Sequence, residues 1–153
     1  MNAPDAARSV VSFESSAFNC TEPKQYFINE GCFGDDVAAW FRDELRSRGY
    51  AASEPGQEDF GWYLPVEIDG LDYFLLIGYR EGTSSERGAW FVVLERHRKW
   101  PPLGIASNRG IKLPAAQAVH GALSTSPAIS NVRWHARADF EKGRESRGTP
   151  APT

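Results

Sequence analysis

A pair of apolar segments joined by Asp69-Gly70 constrains the fold more than any other feature of this sequence. Five large apolar side chains occupy every second position of residues 60–68, which is the period of a β-strand with one buried face. Asp-Gly is the dipeptide preferred in two-residue type I′ hairpin turns. Because such a turn sets the register of the hairpin, we expect Ile68 to lie opposite Leu71. The other expected pairs on the core face are Val66–Tyr73, Leu64–Leu75, Trp62–Ile77 and Phe60–Tyr79.

Two helices and further strands follow from the remaining periodicity. A helix is expected at about residues 36–48, where an apolar stripe at helical spacing follows the N-cap residue Asp35. A second helix is expected to begin near Pro114, a favourable first helical residue, and its inward face carries mainly small side chains. The further strands are expected at residues 10–20, 71–80, 89–98 and about 129–140.

These elements predict an α+β fold, a two-layer sandwich with the order β-α-β-β-β-α-β. The central strands form an antiparallel meander, and the two helices cover one of its faces. Pro65 lacks a backbone donor, so its strand is expected at a sheet edge or with a bulge. A chain of 153 residues buries one core without needing a disulfide or a metal. We expect a flexible lead-in at 1–9, a single domain at 10–141 and a disordered tail at 142–153.

The composition and the missing motifs argue against several classes of function. The longest apolar run, residues 73–77, is far too short to span a membrane, and the first residues do not have the pattern of a secretory signal. A cytoplasmic location with two reduced thiols, Cys20 and Cys32, is therefore expected. The sequence has no nucleotide-binding, serine-hydrolase, zinc or calcium motif, so neither a cofactor nor a metal is expected.

The net charge of −3 conceals an asymmetry along the chain. Residues 1–79 carry 14 acidic and 5 basic side chains, whereas residues 80–153 carry 6 acidic and 12 basic ones. If the two parts formed separate faces, the protein would have a dipole that orients a charged partner. The alternative, which we expect, is that the elements interleave and neutralise each other locally.

The hairpin register also places two glycines, Gly61 and Gly78, opposite each other on the second face of the sheet. Facing glycines leave a notch without side chains, where a ligand or another backbone can approach closely. The alternative is that the glycines accommodate twist or a large neighbour, and that Asp59–Arg80 is an ordinary cross-strand ion pair. The candidate residues of a binding notch are Asp59 or Arg80 as anchor, Tyr63 as wall, Glu58 or Asp59 as base, and Arg80 or His97 as its electrostatic partner.

Two basic clusters are further candidates. Residues 95–100, Glu-Arg-His-Arg-Lys-Trp, combine bases with an aromatic ring as nucleic-acid sites do, but the sequence pI of about 5.6 favours a solvated strand end. Arg133, His135 and Arg137 share a strand face that is typical of a phosphate or carboxylate receptor, or else of an exposed edge strand. If that strand lay beside the meander, a metal site would be geometrically feasible with the set Glu95, His97 and His135.

The function expected from these features is that of a small, non-enzymatic protein-interaction module. It would bind a protein partner through the aromatic second face of the sheet or through the acidic surface. The general plan is similar to that of many bacterial immunity proteins, adaptors and secretion chaperones, although the likeness covers no motif. The alternative is a small-ligand-binding protein or enzyme that uses the notch. The expected partner is another protein or a second copy of the chain in a homodimer, and neither nucleic acid nor a membrane is expected.

Overall fold

The arrangement of the chain is given by a computed structural model that describes residues 3–80, 88–97 and 110–153. Within these residues it contains one antiparallel sheet together with helices, a mixed α+β fold as predicted. The helices are α1 (Asp35–Ser47), α2 (Leu113–Ser124), α3 (Arg137–Glu141) and a 3-10 turn at Glu145–Arg147. The strands are β1 (Val10–Ser15), β2 (Ala51–Ala52), β3 (Gly56–Glu58), β4 (Gly61–Ile68), β5 (Leu71–Tyr79), β6 (Gly88–Arg96) and β7 (Ser130–His135).

The hairpin formed by β4 and β5 has the predicted register. Ile68 pairs with Leu71, and the ladder continues to Trp62 opposite Ile77. Asp69 and Gly70 have φ values of +53° and +79°, positive at both positions as a type I′ turn requires. The predicted pair Phe60–Tyr79 is wrong, because the paired ladder ends two residues earlier. Residues 59–60 instead form the turn that joins β3 to β4.

The sheet has the strand order β2-β4-β5-β6-β1-β7, and β3 also pairs with β4 on its outer side. The short strands β2 and β3 are absent from the sequence prediction. They leave a gap opposite Pro65, whose carbonyl oxygen accepts a hydrogen bond of 2.9 Å from the Ser53 amide. Because the backbone N and O of a strand residue point to the same side, the missing proline donor faces this gap and costs no ladder bond. The expectation that Pro65 lies on an edge strand or at a bulge is wrong, because β4 is paired on both sides and its ladder with β5 is continuous. The break that accommodates the proline lies in the outer partner, between β2 and β3.

The core lies between one face of the sheet and the two long helices. Val37, Phe41 and Leu45 of α1 are fully buried against it, as the apolar stripe predicts. The small side chains of α2 are buried on the predicted face, so that this helix approaches the sheet closely. The central strands contribute the buried side chains Leu64, Val66, Tyr73, Leu75, Ile77, Trp90, Val92 and Leu94.

None of the helices in the described part of the chain is both long and apolar enough to cross a membrane.

The end of the chain differs from the prediction of a disordered tail. The last strand ends at His135 rather than near residue 140, and α3 and the 3-10 turn follow it. Trp134 and Thr149 exchange two backbone hydrogen bonds of 2.6 and 2.8 Å, which cap the outer edge of β7. Residues 137–153, called the C-terminal segment below, therefore return to the sheet. Their polar composition concealed this, because the contacts are made by backbone groups, by ion pairs of Arg137 and Glu145 with the sheet, and by one aromatic side chain, Phe140.

The predicted flexible lead-in is also held in place over its described part. Backbone bonds of 2.8 Å join Ala6 to Ile111 and Leu113 to Pro4. The Asp5 carboxylate lies 2.7 Å from the Lys112 ammonium. These contacts connect residues 4–6 to the start of α2, more than 100 positions away, so local sequence could not reveal them.

Candidate functional site

The predicted notch between Gly61 and Gly78 is filled. A Cβ atom at Gly61 would lie 3.5 Å from the Gly78 Cα, so the two glycines are neighbours as predicted. A Cβ at Gly78, however, would lie 2.4 Å from the Phe91 ring, which covers this position. The Tyr63 ring covers Gly56 in the same way. Gly78 thus accommodates a large neighbour, as the alternative interpretation expected, whereas Gly61 closely approaches the backbone of β5.

Arg80 and Asp59, the proposed anchors of the notch, do not pair with each other. The Arg80 guanidinium lies 2.6 Å from the Glu145 carboxylate and 5.4 Å from the centre of the Phe140 ring. Asp59 is exposed, and its carbonyl oxygen accepts a bond of 3.0 Å from the Asn29 side chain. Arg80 therefore faces the C-terminal segment, whereas Asp59 belongs to a different surface.

Arg133 and His135 meet Arg80 beneath the C-terminal segment. The Arg133 guanidinium donates a bond of 2.9 Å to the Gly148 carbonyl oxygen. His135 is 2% exposed, and its Nε2 lies 2.8 Å from the Ser12 hydroxyl. Burial lowers the pKa of His135, since charging the ring would cost its hydration. The structure brings these predicted residues together, but the chain itself occupies the groups that a phosphate or carboxylate would need.

The proposed metal set is not assembled. The strand β1 separates β7, which carries His135, from β6, which carries Glu95. The Glu95 carboxylate lies 2.9 Å from the Arg137 guanidinium, and the His97 ring stacks on Phe74 with centroids 4.4 Å apart. The described ranges contain no group of three His, Cys, Asp or Glu side chains that could hold a metal ion.

The proposed nucleic-acid cluster is only partly described. Arg98, Lys99 and Trp100 lie outside the described residues. The Arg96 guanidinium donates a bond of 3.1 Å to the Gly110 carbonyl oxygen and lies 5.7 Å from the centre of the Tyr73 ring. These intramolecular contacts account for Arg96 without a phosphate.

The aromatic second face of the sheet is divided into two parts. Phe91 lies under the C-terminal segment, with its ring centroid 5.6 Å from that of Phe140. Tyr63, Phe74 and His97 form a row of neighbouring rings on the other part, and each is half-buried. The open aromatic face expected from the sequence is therefore smaller than predicted.

Three large apolar side chains in one surface region are strongly exposed: Tyr26 at 58%, Ile28 at 55% and Phe60 at 49%. They come together because residues 26–32 run beside β3 and the turn that follows it. The Gln57 side chain holds this segment through two hydrogen bonds. It accepts one of 2.6 Å from the Ile28 amide and donates one of 2.9 Å to the Tyr26 carbonyl oxygen. We call these three side chains the Tyr26/Ile28/Phe60 patch.

Alternation within residues 26–28 explains two members of the patch. Phe27 points inward, with its ring 5.7 Å from that of Phe33 and 6.3 Å from that of Trp62. Its two neighbours in the chain are consequently directed outward. The signal for an extended segment was present in the sequence, but its position beside Phe60 depends on contacts about 30 residues apart along the chain.

Acidic side chains neighbour the patch along the chain. Glu30, Glu58 and Asp59 are exposed, and none of them forms an ion pair within the described part of the chain. The Asp35 carboxylate accepts a hydrogen bond from the Tyr26 hydroxyl and, with some help from burial, raises the pKa of that phenol to about 12. Negative charge is therefore concentrated at this patch, whereas pairs such as Asp5–Lys112 show the expected local neutralisation elsewhere.

A cleft of about 650 Å³ adjoins the patch. Asn29 and Glu30, which directly follow Ile28, line one side of it. Cys20 also lines the cleft as a free, half-buried thiol. The other free cysteine, Cys32, is buried, and burial raises the pKa of its thiol. The remaining lining residues are Thr21, Pro23, Gly31, Phe33 and Tyr79.

Comparison with known proteins gives no match for this chain, whether to a family model, to the sequence of a curated protein or to a solved structure.

Proposed function

We propose that this protein is an interaction module whose Tyr26/Ile28/Phe60 patch binds a basic segment of a protein partner. The observation that carries the proposal is the coincidence of three exposed large apolar side chains with three exposed carboxylates that form no ion pair with any described residue. Large apolar side chains are costly to leave in water, and full burial of one is worth roughly 1.5–3 kcal/mol. Aromatic side chains at the centre of an interface with a polar rim are typical binding hot spots.

The charge of the rim selects the partner. The carboxylates Glu30, Glu58 and Asp59 would repel an acidic surface and attract a basic one, increasing the association rate at low salt. Within residues 21–36 and 54–60 the only basic side chain is Lys24. A partner segment with lysines or arginines around an apolar centre is complementary to this composition.

The alternative of a ligand site at the notch has less support. The Phe91 ring occupies the space above Gly78, and Arg80 is engaged by Glu145. A substrate would have to displace both contacts before it reached the proposed base. The patch requires no displacement, because its side chains are already exposed.

The proposal is tested by selecting binding peptides from a random displayed library on the immobilised protein. We expect enrichment of lysine and arginine beside apolar residues, and binding that weakens as salt increases. The double variant Ile28→Ser, Phe60→Ser is expected to lose this binding while its unfolding free energy changes by less than about 0.5 kcal/mol. Peptides without basic enrichment would contradict the proposal, and so would equal binding to the variant.

A charge-matched comparison separates the acidic rim from net charge. The variant Glu58→Gln, Asp59→Asn neutralises two acids beside the patch. Its control, Glu67→Gln, Asp69→Asn, neutralises two exposed acids at the other end of the β4 hairpin, where asparagine also suits the turn. We expect the selected peptides to bind the first variant more weakly and the control as well as the wild type.

A further inference from the structure

The cleft beside the patch is placed where a bound partner would reach it. Its wall includes Asn29 and Glu30, the residues that continue directly from Ile28. The Asn29 side chain holds this wall, donating to the Asp59 carbonyl oxygen at 3.0 Å and accepting from the Gly31 amide at 2.9 Å. A segment that covers the patch can therefore direct one long side chain into the cleft.

The charge of the cleft favours a cation. Among the described residues, Glu30 is the only charged one that lines the cleft, and its carboxylate forms no ion pair with the others. No lysine or arginine of the described residues contributes to the lining. A cationic side chain entering the cleft would gain a charge-assisted hydrogen bond, whereas an anion would meet only repulsion.

The aromatic wall of the cleft distinguishes arginine from other cations. Phe33 and Tyr79 line it together, with their rings edge to face and their centroids 5.4 Å apart. Tyr79 is half-buried, so part of its surface faces the cleft. A planar guanidinium stacks on an aromatic ring while its N–H groups bind a carboxylate, a combination that a compact ammonium matches less well.

We infer that this cleft is a subsite for an arginine side chain of the protein partner, with Glu30 binding the guanidinium and Tyr79 supporting it. The inference rests on the proposed function for its biological meaning, because it names a residue type within the basic segment. The volume of about 650 Å³ admits the whole side chain and the adjoining backbone.

The subsite is tested directly with N-acetyl-arginine methylamide, followed through the backbone amide signals of the ¹⁵N-labelled protein. We expect saturable shifts at residues 29–31 and at Tyr79. The neutral isostere N-acetyl-citrulline methylamide is expected to bind about tenfold more weakly, because it loses the charge-assisted bond. Equal binding of the two probes, or shifts spread over the whole protein, would overturn the inference.

A matched pair of variants shows whether the Glu30 carboxylate itself contributes to binding of the arginine probe. Glu30→Gln removes the carboxylate that lines the cleft, and we expect about tenfold weaker binding of the arginine probe. Glu22→Gln removes an exposed acid from the same loop, although the side chain is not part of the lining. The Glu22→Gln variant should bind the arginine probe as tightly as the wild type does. If both variants lost the same affinity, the change in net charge would explain the loss, and the subsite would be contradicted.

The selected peptides separate this inference from the proposed function. Replacing the arginines of a bound peptide by citrulline, one at a time, should identify one position that weakens binding to the wild type but not to Glu30→Gln. If no position behaves in this way while Ile28→Ser, Phe60→Ser still abolishes binding, the subsite is wrong and the interaction module stands. If the arginine probe binds the cleft but the patch variant retains every peptide, the proposed function is wrong and the subsite stands.

Discussion

Ser12 and His135 are joined by a buried hydrogen bond between neighbouring strands, with Oγ and Nε2 2.8 Å apart. The other ring nitrogen of His135, Nδ1, is buried without a hydrogen-bond partner among the described residues. Protonation of the ring would therefore create a charge inside the sheet that gains no new acceptor. The C-terminal segment closes this position, because the Phe140 ring lies 5.2 Å from the imidazole.

Acid should weaken the fold through His135. Burial lowers its pKa below the ordinary 6.5, the carboxylate of Glu145 opposes this shift, and the cations Arg80, Arg133 and Arg8 add to it. Because the unfolded chain binds the proton more readily than the folded one, stability is complete above about pH 6.5 and falls as the pH drops towards the folded pKa. Urea unfolding at about pH 7.5 and pH 5.5 measures this difference.

A variant isolates the contribution of this histidine. His135→Gln should show a smaller difference in unfolding free energy between the two pH values. Some dependence should remain, because burial also lowers the pKa of His120. A wild-type protein that is equally stable at both pH values would contradict the prediction.

Alanine substitutions at Gly61 and Gly78 should both destabilise the fold, but only the loss at Gly78 should be reversed by removing a neighbouring side chain. A Cβ at Gly61 would lie 2.4 Å from the Ile77 carbonyl oxygen, and Gly61 has a φ of +149°, so Gly61→Ala should cost about 3 kcal/mol. At Gly78, the three atoms nearest to an added Cβ all belong to the Phe91 ring. Gly78→Ala should therefore be destabilising alone, but should cost no more than about 0.5 kcal/mol in a Phe91→Ala background.

Urea unfolding of the single and double variants measures both costs. A substantial cost for Gly78→Ala that persisted without the Phe91 ring would show that this ring does not fill the predicted notch.

Removal of residues 142–153 should expose the outer edge of β7. The Trp134 amide donates to the Thr149 carbonyl oxygen at 2.6 Å, so its hydrogen exchange should accelerate by at least about tenfold in the shortened chain. The amide of Val92 in the interior strand β6 should remain protected and serves as the internal control. Identical exchange of Trp134 in both chains would support a disordered tail instead.

The Tyr26 phenol should resist ionisation. Its hydrogen bond to Asp35 is the main reason that its pKa is raised to about 12. At about pH 11 the Tyr26 ring should still give the NMR signals of a neutral phenol, whereas in Asp35→Asn it should titrate with a midpoint nearer the ordinary value of about 10. An unchanged midpoint in the variant would show that Asp35 does not hold the hydroxyl.

Part of the candidate site could be inferred from local sequence. The turn at residues 69–70 predicts the register that brings Gly61 and Gly78 together. Phe60, by contrast, was placed in the core, because its alternation with Trp62 and Leu64 continues without a break. Its exposure follows from β3, a strand of three residues that turns the chain at 59–60 and is too short to give a periodic signal.

The sequence by itself determined the hairpin and the inward faces of both long helices. These features depend on turn conformation and side-chain period, which act over a few residues. Only the tertiary structure decided that Arg80 meets Glu145 and that Ile28 lies beside Gln57, 65 and 29 positions away. Such contacts follow from the order of strands in the sheet and from the path of irregular segments, where the energy comes from packing between distant parts of the chain rather than from local preference.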